Sequence, residues 1–139
     1  MIDIDNQSDF NFPLKTITQI TDALTSNDIE LLIIDETQMH HINLEHREVD
    51  RPTDVLSFPL ENIPMAPLGT IVINTNAVKD VSTRLEHSQE DEFCLLYIHG
   101  LLHLLGYDHE CDKGEMREKE EELIKTYKLP LSLIVRTQG

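Results

Sequence analysis

The stretch from Phe93 to Leu105 constrains this chain more than any other. It reads Phe-Cys-Leu-Leu-Tyr-Ile-His-Gly-Leu-Leu-His-Leu-Leu. Leu95, Ile98, Leu102 and Leu105 form one stripe at helical spacing, and Phe93, Tyr97, Leu101 and Leu104 form another. A helix apolar on so many sides has to be enclosed by other elements. Ser88, with Asp91 three positions on, supplies a capping-box-like start. Gly106 supplies an end, because it can take the left-handed conformation that closes a helix. The segment is therefore expected to be the buried central helix of the fold.

The remaining sequence provides elements to enclose it. Ile2 and Ile4 alternate with Asp3 and Asp5, the pattern of a short first strand. Pro13 opens a helical pattern through Leu14, Ile17, Ile20 and Leu24, which Asn27 and Asp28 end. Glu30–Ile34 reads as a buried strand. Asp35 is a candidate N-cap for a second helix carrying Met39, Ile42 and His46 on one side. Val55–Phe58 reads as a strand near a sheet edge, since Pro59 follows directly. Thr70–Asn74 reads as a fourth strand, followed by a short helix to about Arg84. A charged final helix from about Asp112 to Lys128 turns Met116, Leu123 and Ile124 inward. The order β-α-β-α-β-β-α-α-α predicts an α/β fold: a single domain over residues 1–139, with a small mixed sheet of about four strands covered by helices.

Composition narrows the function classes. The chain has 139 residues and a formal net charge of −15, which argues against wholesale capture of DNA or of an anionic membrane. Its apolar runs are too short to span a bilayer, and Met1–Asp5 carries no signal-peptide pattern. Cys94 and Cys111 form no disulfide framework, and Cys94 reads as a small core residue. Together these features predict a cytoplasmic protein.

The central helix also carries chemistry. His99 and His103 are four residues apart and so share one helix face. Gly106 and His109 complete the pattern H-x-x-x-H-x-x-G-x-x-H. Two imidazoles from successive turns supply two corners of a tetrahedron, and a reversal at Gly106 returns His109 as the third. Three His and one open position make a catalytic Zn²⁺ arrangement, although imidazole also suits Cu, Ni and Fe. Burying neutral imidazoles without partners would cost roughly 1–3 kcal/mol each, which favours a metal over a plain core role. His40, His41, His46 and His87 lack this spacing and read as surface or interface residues. In H-E-x-x-H peptidases a Glu follows the first His as general base; here that position is Gly100, which speaks against a peptidase.

His99-Gly-Leu-Leu-His103-Leu-Leu-Gly106-Tyr-Asp-His109 resembles the signature of the YbeY family of bacterial rRNA-maturation endoribonucleases. Asn43-Leu-Glu-His-Arg47, followed by Arg51-Pro-Thr-Asp-Val-Leu-Ser-Phe-Pro59, resembles a second block of that family. The resemblance implies Zn²⁺ held by His99, His103 and His109, with Arg47 and His99 as catalytic residues. It also implies cleavage of single-stranded RNA, 16S rRNA 3′-end maturation and ribosome quality control. The implied partners are rRNA and the small ribosomal subunit with its proteins; neither DNA nor a membrane is expected. Two other readings stay open on these residues: a metal-dependent hydrolase of another substrate such as a peptide, and a zinc-stabilised ribosome-assembly factor without activity. Thr70 in Leu68-Gly-Thr-Ile71 stands where the family usually has Asp.

A phosphodiester substrate suits these residues. A guanidinium can clamp developing phosphoryl charge bidentately, and Arg47 is the candidate. Arg51, Lys79 and Arg84 are candidates for further backbone contacts. Asp108 is a candidate to hydrogen-bond a ligand imidazole. Residues 1–46 carry 9 acids and 1 base, whereas 47–85 carry 5 acids and 4 bases. The acidity is concentrated away from the stretch that holds Arg47.

Overall fold

A computed structural model describes residues 1–60, 67–107 and 114–129. Its elements are β1 (Ile2–Asn6), α1 (Leu14–Leu24), β2 (Ile29–Ile34), α2 (Glu36–Arg47), β3 (Val55–Pro59), β4 (Gly69–Asn74), α3 (Thr75–Arg84), α4 (Gln89–Leu104) and α5 (Glu115–Thr126). The predicted α/β order is the observed one. The four strands form one sheet in the order β1-β2-β4-β3. β1, β2 and β4 run parallel, and β3 pairs antiparallel with β4, so the sheet is mixed. β3 is an edge strand, as Pro59 requires.

Alternation along the strands splits the apolar residues between two layers. Ile29, Leu31, Ile33, Ile71 and Ile73 join the main core with Ile17, Ile20, Phe93, Tyr97, Ile98, Leu101 and Leu102. Ile34, Leu56, Val72 and Met39 form the smaller layer under α2. The central helix is as enclosed as its sequence demands: Phe93, Tyr97, Ile98, Leu101 and Leu102 have no exposed surface. Ser88 caps it by accepting the Asp91 N–H at 3.0 Å. Asp35 and Gln38 form a reciprocal capping box at the start of α2.

Three local expectations are corrected. Leu14 is half exposed, so the inner stripe of α1 begins at Ile17. That helix stops at Leu24, where Thr25 is already extended, before the predicted Asn27-Asp28 stop. His87, expected as a surface or interface residue, has a side chain only 3 % exposed that pairs at 2.8 Å with Glu92, which has no exposed surface. Glu86 turns left-handed at φ 56° and His87 N–H donates to the Ser82 carbonyl at 3.1 Å, a turn that brings the imidazole to Glu92 in the first turn of α4. Among the described residues, no helix is long and apolar enough to cross a membrane.

Candidate active site

The cleft lies between the C-terminal half of α4 and the edge strand β3. α4 can approach the sheet closely because residue 100 is glycine. A Cβ there would stand 2.9 Å from the Ile71 side chain and 3.2 Å from Ser57 Oγ. Ser57 in β3 uses the closeness to donate to the Gly100 carbonyl at 2.9 Å. A carboxylate at this position would meet the sheet rather than the cleft, so the peptidase base has no room here.

The end of α4 is a Schellman turn. Gly106 has φ +101°. Its N–H donates to the His103 carbonyl at 3.1 Å, and Tyr107 N–H donates to Leu102 at 3.0 Å. The helix therefore ends where the sequence predicts. His109, Asp108 and Cys111 lie outside the described residues.

His99 and His103 meet as their spacing requires. Their Nε2 atoms are 3.2 Å apart and their rings are nearly perpendicular, at 81°. Two nitrogens each about 2.0–2.1 Å from one tetrahedral ion lie about 3.3 Å apart, so this pair suits a shared metal. A neighbour that sequence reasoning missed sharpens the fit. Glu120 of α5 holds His99 Nδ1 at 2.8 Å, with its carboxylate side chain only 3 % exposed. A proton on Nδ1, donated to this carboxylate, leaves the His99 Nε2 lone pair directed at His103. The missed signal was positional. Glu120 stands four residues after Met116 and three before Leu123, on the apolar stripe of a helix otherwise rich in exposed acids.

Arg47 is brought to the same place. It is the last residue of α2, which ends as Glu48 turns left-handed at φ 57°. With Thr53, Ser57, His99, His103 and Tyr107 it lines a cleft of about 650 Å³. Arg51 is not among the residues lining that cleft; its carbonyl accepts from buried Asn43 at 2.7 Å, which fixes the loop after α2. Lys79 and Arg84, the other candidates for backbone contacts, do not line this cleft either. Lys79 lines a groove with Ser88 and Gln89 at the opposite end of α4, about 20 Å away along the helix axis, and pairs with Asp9. Arg84 pairs with Asp80 at 3.3 Å. Thr70 projects from the sheet face opposite α4 and donates to Glu30 at 2.9 Å, so it takes no part in the cleft.

This arrangement has relatives. The family model for endoribonuclease YbeY matches residues 3–128. The chain belongs to the YbeY family. It is 52 % identical over 139 residues to the endoribonuclease YbeY of Sulfurimonas denitrificans, covering all of both chains. It is 54 % identical to that of Nitratiruptor over 99 % of this chain and 96 % of the relative. Against that of Helicobacter pylori J99 the figure is 53 %, over 99 % of each chain. The solution structure of a Thermotoga maritima protein superposes with a TM-score of 0.62 at 27 % identity, covering 96 % of this chain and 95 % of that one. Membership makes the YbeY resemblance of the two sequence blocks a family relationship over nearly the whole chain.

Proposed function

We propose that residues 1–139 form one zinc-dependent endoribonuclease domain that cuts single-stranded segments of ribosomal RNA. Its tasks would be 16S rRNA 3′-end maturation and ribosome quality control, carried out in the cytoplasm on the small ribosomal subunit. The observation that carries this reading is the meeting of Arg47 with His99 and His103 in one cleft.

His99, His103 and His109 are the residues that would hold Zn²⁺. The ion supplies, when bound, a positive centre that polarises a phosphoryl oxygen and acidifies water. The chain's own residues do the rest. Arg47 presents a planar fork of donors to the scissile phosphate and stabilises charge that grows on its oxygens during cleavage. The cleft opens beside a strand edge, which leaves room for an unpaired strand. With a net charge of −15, few cations are available to grip the backbone, so binding to naked RNA is weak and the ribosome supplies additional contacts.

The test is cleavage of single-stranded RNA by the pure protein, with and without chelator, beside His99→Ala and Arg47→Ala. Cleavage should require the metal and both side chains. Unchanged cleavage under all three conditions would overturn the proposal.

A further inference from the structure

Glu120 is an anomaly of burial. The inward face of α5 consists of Met116, Glu120, Leu123 and Ile124, and the three others are apolar core residues. A carboxylate on such a face needs compensation, because burying a charge is expensive unless it is paired and hydrogen-bonded. His99 Nδ1 provides a partner at 2.8 Å. This contact joins α5 to Nδ1 of an imidazole whose other nitrogen, Nε2, faces His103 at 3.2 Å.

We infer that Glu120 is the positioning residue of the metal site, and that through it metal binding and the docking of α5 onto α4 strengthen each other. The inference rests on the zinc reading above. The reasoning follows from the bond itself. Glu120 fixes the His99 tautomer and ring orientation, so Nε2 faces His103 before any ion arrives. A cation on Nε2 withdraws electron density from the ring and makes Nδ1–H a stronger donor to the buried carboxylate. The gain is shared by both ends: what Glu120 adds to metal affinity, the metal adds to α5 docking. Met116, Leu123 and Ile124 hold the helix on the core in either state, so the coupling tightens α5 rather than creating it.

Two measurements test this on the full chain, with Zn²⁺ as the probe. The first is Zn²⁺ affinity by competition with a chromogenic chelator, for wild type, Glu120→Gln, Glu120→Leu and His99→Ala. Glu120→Leu should lose about 10- to 100-fold in affinity, the range for removing an outer partner of a ligand imidazole. Glu120→Gln, which still accepts from Nδ1, should lose less. The second is hydrogen exchange of residues 115–126 with and without Zn²⁺. Zn²⁺ should slow exchange there in wild type, with the slowing reduced in Glu120→Gln and absent in Glu120→Leu. Wild-type affinity and slowing in both Glu120 variants would overturn the inference. Glu120→Gln keeps the shape of the side chain and carries the test if Glu120→Leu does not fold. A wild type that binds Zn²⁺ no better than His99→Ala would instead overturn the zinc reading, which separates the two failures.

Discussion

α4 carries a histidine–carboxylate pair near each end, and the two differ in what surrounds them. Near its N-terminus His87 meets Glu92 at 2.8 Å, with exposures of 3 % and 0 %. Near its C-terminus His99 meets Glu120, also at 2.8 Å, but the imidazole is 28 % exposed. The contact is the same and the access is not. His87 Nδ1 is buried without a hydrogen-bond partner among the described residues, whereas His99 turns its second nitrogen toward another imidazole in an open cleft. A sealed pair can only hold the turn between α3 and α4 to the helix. An open pair, backed by a buried carboxylate, can hold something that arrives from solution.

The comparison can be broken at either end. The largest effect is expected from His99→Ala, which should abolish retention of Zn²⁺ and lower RNA cleavage by more than about 100-fold, beyond what losing an outer partner costs. Metal content by mass spectrometry and a gel cleavage assay report both. Next is His87→Ala, which takes from buried Glu92 its imidazole partner. Breaking one partner of a buried pair costs about 3–5 kcal/mol, so urea unfolding should show a large loss of stability with Zn²⁺ content unchanged. A His87→Ala protein that folds normally but loses zinc would erase the distinction between the pairs. Arg47→Ala should lower cleavage about 10²- to 10³-fold, as for loss of one preorganised donor, while Zn²⁺ affinity stays at the wild-type value. Gly100→Ala is expected to have the smallest effect. The added methyl group would sit 2.9 Å from Ile71, and overpacking of this kind costs about 1–3 kcal/mol. Thermal unfolding measures it, and a parallel fall in Zn²⁺ affinity would place the effect at the cleft end of α4.

Much of this was legible in the residues. The enclosure of α4 followed from two apolar stripes, its start from Ser88 and its end from Gly106. The edge position of β3 followed from Pro59. The meeting of His99 and His103 followed from a spacing of four. Partners distant in sequence were harder to read. Glu120 stands in a run with Glu118, Glu121 and Glu122, and that acidic run masks its place on the Met116–Leu123 stripe. Glu92 sits among Glu90 and Asp91, where acids are expected at a helix start for electrostatic reasons, so its burial was hidden behind an ordinary pattern. The placement of the other cations was hidden in the same way. Lys79 and Arg84 follow Arg47 in the sequence, but α3 carries them to other parts of the surface.

The missing side chain at residue 100 has an angular consequence. Each residue of an α-helix advances by about 100° around the axis. With residue 100 pressed against Ile71, residue 99 stands about 100° to one side of the contact line, and residue 103 about 60° to the same side. Both imidazoles therefore emerge obliquely along the rim of the sheet, neither pointing into the strands nor directly away from them. The seat of one glycine thus sets the roll of the helix, and that roll aims both rings at the margin where β3 leaves the sheet open.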